Sequence, residues 1–226
     1  MGNGNRMFCH FVSSGFSNYD IADMIRRKQM LKVENKSKEE IAKIGRKIGE
    51  AFAAEKAGIV TLLTEEQTVK AFEIMTEYFY RAGVLYATSE TGEGYLAYWE
   101  KKTKPAIGPA LHMVKRILCE LPLKASLTVL QSGSEQYTKI FKKEQNYIAI
   151  SMVVVLQEFQ GKGFMHRVLE QPFAEGEKKN IPCVLDTDTP LKVKKYIRCG
   201  MKLAGEKKLK DGISLYTMAY HASTVG

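Results

Sequence analysis

At 226 residues the chain falls between one large domain and two small ones, and that size buries roughly 70% of the extended surface without help from disulfides. Its 45% hydrophobic, 26% charged and 10% aromatic residues suit a globular protein and exclude a collagen-like repeat, a solenoid or a disordered chain. The formal charge of +9, from 34 Lys and Arg against 25 Asp and Glu, directs attention to anionic partners: nucleic acid, a membrane surface or a phosphate-bearing ligand.

The opening Met1-Gly2-Asn3-Gly4-Asn5-Arg6 has no hydrophobic core and does not read as a signal peptide. Arg6 stands where a myristoylation motif wants Ser or Thr. The spacing of Ile21, Met24, Ile25 and Met30 predicts a helix from Asn18 to Leu31. Two capping boxes follow. Ser37-Lys38-Glu39-Glu40 opens a helix with the stripe Ile41, Ile44, Ile48, Ala51 and Phe52, and Thr64-Glu65-Glu66-Gln67 opens another through Val69, Phe72, Ile74, Met75 and Phe79. After Gly83 the pattern turns to strands. Val84–Thr88 and Tyr95–Trp99 flank a Thr91-Gly92-Glu93-Gly94 turn and predict a hairpin.

From about Ala106 to Lys143 the chain reads as helical, with an amphipathic stripe of Leu111, Val114, Leu118 and Leu121 closed by Pro122. Tyr147–Val155 is apolar on both faces, which predicts a strand in the middle of a covered sheet. A helix with Val168, Leu169 and Phe173 comes next, and Pro172 inside it predicts a kink or an early end. Cys9, Cys119, Cys183 and Cys199 stand far apart with no C-x-x-C pair, as reduced thiols in a cytoplasm would. No apolar run reaches the ~20 residues of a membrane helix. A cytoplasmic chain with no membrane partner is therefore expected.

The positive charge is concentrated. Eight basic residues and one acid, Glu206, lie between Lys192 and Lys210. Nucleic-acid binding calls for aromatic residues among such charges or a reading module, and the stretch offers only Tyr196. A solvated lysine-rich surface is expected there, and no nucleic acid.

The central strand runs into Gln157-Glu158-Phe159-Gln160-Gly161-Lys162-Gly163-Phe164-Met165 and then a helix. Glycines allow close main-chain approach, and a helix N-terminus carries partial positive charge, so strand, glycine turn and helix together suit a phosphate. An ordinary tight turn uses the same glycines. A Walker loop is absent. A dinucleotide fold would use Gly161 and Gly163, with Asp186 at the end of Ile181–Asp186 as its ribose acid, but His166 stands in place of the third glycine.

A third pattern covers more of the chain. The sequence resembles the GCN5-related N-acetyltransferase (GNAT) family, whose [RQ]-x-x-G-x-[GA] turn is matched by Gln160, Gly161, Lys162, Gly163, Phe164 and Met165, with Met165 in place of the small last residue. The family's next strand is like Val184-Leu185-Asp186, and its Y-x-x-x-G-F is like Tyr196–Met201. Ile213–Met218 resembles its closing strand. The likeness is close over about 147–220 and loose over 37–100. It implies an α/β (α+β) fold, a mixed, mainly antiparallel sheet flanked by helices. The single domain would span residues 36–226, with an N-terminal extension over 1–35 and a helical insertion near 103–146. The activity it implies is acetyl transfer from acetyl-CoA to a primary amine of a small molecule. A non-catalytic acyl-CoA-binding or regulatory module of the same fold is the alternative.

That chemistry needs a neutral amine, a stabilised oxyanion and a protonated leaving thiolate. The resemblance places Met152, Val153, Val154 and Val155 along the pantetheine arm of acetyl-CoA, one of their N–H groups facing the thioester oxygen. It makes Tyr196 the general acid. The family's usual basic position falls on Ser151, which is no base at neutral pH, so Glu100, Glu93 or Glu158 acting through water, or an amine of low pKa, are left open. His112 and His166 carry no assigned role, and the four histidines lack metal-ligand spacing, so no metal is expected. Strand alternation sets Tyr95, Ala97 and Trp99 on one face and Leu96, Tyr98 and Glu100 on the other. Tyr80, Tyr98, Trp99 and Ser151 are candidate acceptor-pocket residues, and core packing accounts for the aromatic ones equally well.

Overall fold

Both capping boxes form. Ser37 Oγ accepts the Glu40 N–H at 3.2 Å while the Glu40 carboxylate accepts the Ser37 N–H at 2.8 Å, which starts α1, Lys38–Ala53. Thr64 and Gln67 exchange the same bonds to start α2, Glu65–Arg81. These pairs satisfy N–H groups that the helix itself leaves orphaned. The two helices then touch backbone to backbone. A Cβ at Gly45 would stand 2.7 Å from the Glu73 Cα, and one at Gly49 would stand 2.6 Å from the Val69 Cα. Glycine is required at both places by that approach. Phe52 stacks on Phe72 at the far end, ring centroids 4.0 Å apart.

The structure, a computed structural model, describes residues 29–132, 136–209 and 212–221. The strands are β1 (Leu31–Lys32), β2 (Leu85–Ala87), β3 (Gly94–Glu100), β4 (Ile148–Val155), β5 (Cys183–Thr187), β6 (Lys202–Lys208) and β7 (Ser214–Tyr220). They form one sheet in the order β1-β2-β3-β4-β5-β7-β6. Every pairing is antiparallel except β4 with β5. A doubly wound dinucleotide fold needs a mainly parallel sheet, so that reading is set aside. Asp186, its would-be ribose acid, instead accepts the Thr217 hydroxyl at 2.6 Å and the Tyr137 N–H at 3.2 Å.

β4 occupies the centre, as its two-faced apolar pattern requires. Ala149, Met152 and Val154 pack with Ile48, Phe79, Tyr95 and Trp99 on the α1–α2 side. Ile148, Ile150 and Val155 pack on the other side against α6 (Phe164–Lys179) and α7 (Pro190–Arg198), with Val168, Leu169 and Tyr196. Each side chain so buried contributes roughly 1.5–3 kcal/mol. At the edge, β6 alternates little and is lysine-rich and exposed. Lysines on an edge strand keep it from pairing with other chains, which gives Lys202, Lys207 and Lys208 of the basic run a structural role.

Three expectations are corrected. The helix proposed from Asn18 lies outside the described residues as far as residue 28, and at its end Leu31 belongs to a strand. Met30 is buried and its N–H donates to Gln171 Oε1 at 2.9 Å, which draws the chain extended along α6. Between β3 and β4 stand α3 (Ile107–Glu120), α4 (Leu123–Ser132) and α5 (Tyr137–Ile140). Here the inward stripe is Ile117, Leu121, Ala125 and Val129 against Ala71 and Ile74, while Leu111 and Leu118 face outward. Finally, α6 continues past Pro172 to Lys179. Pro172 lies on its buried side, and its carbonyl accepts the Cys183 thiol at 3.1 Å.

Candidate functional site

The parallel ladder between β4 and β5 covers only Ile148–Cys183 and Ala149–Val184. Beyond it the two strands part, each held on its outer side alone. β3 follows β4 up to Gly94–Val155, and β7 follows β5 up to Thr187–Tyr216. The β3–β4 register jumps between Ala97, opposite Met152, and Tyr98, opposite Ile150, leaving Ser151 as the extra residue. Such a bulge bends its strand and is common beside functional sites. The β5-facing backbone groups from Ile150 to Val155 are thus outside that ladder and line a wedge-shaped opening.

The strand leaves the sheet at Leu156, whose N–H donates to the Glu93 carbonyl at 2.9 Å. After a single 3₁₀ turn, Gln157–Phe159, the Gln160 side-chain amide donates back to the Val155 carbonyl at 3.1 Å and ties the glycine turn to the strand end. Gly161 and Gly163 have φ of +77° and +82°, the left-handed region that glycine enters freely. A Cβ at either would meet nothing within 4 Å. Gly163 is the N-cap of α6 with no side-chain cap bond. The space over both glycines is therefore open beside a helix start that no side chain caps, and uncapped N–H groups at a helix start are the kind of place that suits an anion. Phe159 meets Phe164 edge-on at 5.8 Å, with the Lys162 ammonium 5.5 Å from the Phe159 ring centre. Met165, where the turn motif wants a small residue, is partly buried and packs against the apolar cluster beneath α6.

α7 closes with the Met201 N–H on the Tyr196 carbonyl at 3.1 Å, the Gly200 N–H on Ile197 at 2.9 Å, and Gly200 at φ +91°. This is a helix stop that needs glycine and buries the next apolar residue, here Met201. A central strand parting from its parallel neighbour, a glycine turn, and a helix that carries a buried tyrosine occur in this order. The fold is that of the GCN5-related N-acetyltransferases. No family model and no curated protein matches the chain by sequence. Among solved structures it is similar to a polyamine N-acetyltransferase of Drosophila melanogaster, with TM-score 0.57, 13% identity, and coverage of 85% of this chain and 99% of that one. It is similar to an N-acetyltransferase of Staphylococcus aureus Mu50, with TM-score 0.53, 14% identity and coverage of 84% and 99%. The C-terminal condensation domain of Ebony, in complex with beta-alanyl-dopamine, matches with TM-score 0.57 at 10% identity, covering 86% and 99%.

Within this acetyltransferase fold Tyr196 lies on the inner face of α7 and is 7% exposed. Burial, with Glu55, Cys199 and Asp188 nearby, pushes its phenol far above the ordinary tyrosine range. One turn earlier the Lys192 ammonium meets Glu55 at 2.7 Å and Asp188 at 2.9 Å, and lies 5.4 Å from the Phe52 ring centre. Lys192 is thereby committed to two carboxylates and is not free for a phosphate or a thiolate. Sequence reading missed Glu55. The spacing of Asp188 and Lys192 was the only local signal, and Glu55 reaches them from the end of α1.

The structure does not gather the candidate acceptor residues. Tyr98 lies on the α6 side, where its hydroxyl accepts from Gln171 Nε2 at 2.8 Å and its ring lies 4.9 Å from that of Tyr86. Trp99 lies on the opposite side with Phe79. Tyr80 exchanges hydrogen bonds of 3.0 Å with the Lys36 backbone outside α1. Ser151, in the bulge, is the one of the four at the wedge.

The three candidate bases also fall apart. Burial would raise the Glu93 pKa, but the hydroxyls of Thr88, Thr91 and Ser89 outweigh it and hold the carboxyl at about 2. Glu100 lies opposite Ile148 at the closed end of the wedge, lowered by Lys179 and Asn146. Glu158 is exposed in the 3₁₀ turn. His112 stands 3.5 Å from Glu77, and His166 is exposed on the first turn of α6. An open groove of about 700 Å³ starts at Gly163 and runs past His166 and Glu170 toward Cys199 and Tyr220. Among the described residues no cluster of His, Cys, Asp and Glu is arranged to hold a metal, and no helix is long and apolar enough to cross a membrane.

Proposed function

We propose that this protein is an N-acetyltransferase that moves the acetyl group of acetyl-CoA directly to a primary amine of a small molecule. The observation that carries the reading is the opening of β4 from β5 after Ala149–Val184, leading straight into an uncapped helix start behind Gly161 and Gly163. Backbone groups of Met152, Val153, Val154 and Val155 would hold the pantetheine arm as a strand would. The N–H groups of Gly161, Lys162, Gly163, Phe164 and Met165 would hold the pyrophosphate, with Gln160 fixing the turn. The groove along α6 gives the nucleotide end a place to lie.

When bound, acetyl-CoA supplies an acyl group activated by a thiolate leaving group. A β4 N–H beside the Ser151 bulge would donate to the carbonyl oxygen, a fixed dipole that needs no reorganisation. Tyr196, kept as a phenol by burial, would donate its proton to the departing sulfur as the carbon–sulfur bond breaks. The proton that the acetylated nitrogen sheds would return to the phenolate, directly or through water. Glu93 and Glu100 are too strongly held as carboxylates to take a proton from an ammonium, so the acceptor would enter as the neutral amine.

Release of free thiol from acetyl-CoA across a panel of amines tests the reading, with calorimetry for CoA and NAD alongside. Thiol release with an amine supports it. CoA binding with no turnover on any amine would instead leave a binding module of the same fold, and NAD binding without CoA binding would remove both.

A further inference from the structure

Independently of the acetyl-transfer reading, we propose that the cleft between α1, α2 and α3 is a binding site for a small carboxylate with a compact apolar body. Gly45 and Gly49 bring α1 against the backbone of α2 at Glu73 and Val69. Toward the start of α1 that contact gives way to a cavity of about 260 Å³, with Ile41 and Ala42 on one side, Tyr80 and Arg81 on another and Arg116 of α3 on the third. Clefts between helices commonly take small ligands, and this one suits a molecule smaller than a drug. It lies roughly 20 Å along α1 from Glu55, well away from the wedge between β4 and β5.

The lining sets the chemistry of the ligand. Ile41, Ala42 and the Tyr80 ring make an apolar wall, and the Tyr80 hydroxyl is already spent on the Lys36 backbone. Each carboxylate of the cleft is held by two cations. Glu73 meets Arg46 at 3.1 Å and Lys70 at 3.2 Å. Glu77 meets Arg81 at 2.7 Å and also Arg116, with His112 3.5 Å away.

Two cationic donors are left over. Lys38 comes near enough to Glu120 to help lower its pKa, yet among the described residues it makes no ion pair. Arg81 commits its Nε to Glu77, and among the described residues its two outer nitrogens have no hydrogen bond. A guanidinium fork can give a carboxylate two N–H bonds at once, and an ammonium beside it adds a point charge. An amine would enter against this surplus of positive charge and find both carboxylates taken. The local field favours an anion.

Calorimetry of the full chain with benzoate and with phenylacetate tests the proposal, and phenethylamine serves as the cationic control. The expected result is a dissociation constant on the order of 1 mM for at least one carboxylate, weakening as added salt screens the cations. Lys38→Met keeps an unbranched stem without the charge, and affinity should fall at least about ten-fold. Ala42→Leu keeps a good helix former and fills the cleft, so binding should vanish while the melting temperature holds. Lys38 is exposed, so its variant carries the test even if the added leucine unsettles α1. No carboxylate binding at about 10 mM, or binding that survives either substitution in a folded variant, would overturn the proposal. So would binding of phenethylamine but of neither carboxylate, abolished by Ala42→Leu, which would assign the cleft to a cation.

Discussion

The Asp188 carboxylate accepts the N–H of Ile59 at 2.8 Å across 129 residues of chain. The same carboxylate meets the Lys192 ammonium, which also holds Glu55, so the connection between α1 and α2 is fastened to the turn that starts α7. Lys192 is mostly buried, its side chain 17% exposed. Burial alone would lower its pKa, but the charges of Asp188 and Glu55 outweigh that and raise it. Lys192→Met leaves two carboxylates facing each other with their cation gone, and breaking a buried pair in this way costs about 3 kcal/mol. Chemical denaturation at neutral pH checks this. The wild-type advantage should be complete below lysine's ordinary value of 10.5 and be lost as pH climbs above it, since the raised pKa belongs to the folded state.

Gly163 sits at φ +82° with open space over its Cα. Gly163→Val would place a branched side chain where the pyrophosphate is proposed to lie, and would also force valine into the left-handed region at roughly 1–2 kcal/mol. CoA affinity by calorimetry should fall by at least about ten-fold. A folded variant with unchanged affinity would show that the turn does not hold phosphate.

Glu93 acts on the fold where the turn is suspended. Its carboxylate gathers three hydroxyls, and its backbone carbonyl receives the Leu156 N–H at the point where β4 leaves the sheet. The folded pKa of about 2 lies below the ordinary 4.5, so the ionised group stabilises the fold above that ordinary value. That stabilisation is lost as pH falls toward 2. With allowance for solvent screening, Glu93→Gln should cost about 1–2 kcal/mol at neutral pH. Comparing the two proteins' unfolding free energies between neutral and acid pH should show the gap closing in that window.

What the sequence made legible divides by range. Capping boxes are made by residues three apart, so both helix starts could be read directly, and the two-faced apolar run of β4 announced a central strand. The glycine turn was legible because Gly161 and Gly163 serve backbone conformations that little else tolerates. Long-range facts were not. Periodicity located an apolar stripe on α3 but could not say that Ile117 and Leu121 would turn inward and Leu111 and Leu118 outward. The bulge at Ser151 exists only in the pairing of β4 with β3. Tyr80, Tyr98 and Trp99 are near in sequence, yet a sheet lies between Tyr98 and Trp99, and Tyr80 is occupied with Lys36.

Tyr196→Phe should lower turnover by about 10- to 100-fold with little change in the Michaelis constant for acetyl-CoA. The phenol is needed only as the carbon–sulfur bond breaks, so its loss acts on the transition state and not on ground-state binding. The effect belongs at the low end for a general acid because a thiol of pKa near 8.5 leaves fairly well without a proton. The ring stays in place among Ile150, Leu169 and Met201, so the fold should hold, which a melting curve checks. Because the phenol's pKa is raised, it should show no titration limb below the ordinary tyrosine value near 10. The wild-type rate on an alkylamine should then climb with pH toward the amine's own pKa, and the Phe variant should follow a parallel, lower line. A variant that turns over at the wild-type rate under saturating substrates would remove Tyr196 as the acid. A pH profile that changes shape in the variant would point instead to an altered environment for the amine.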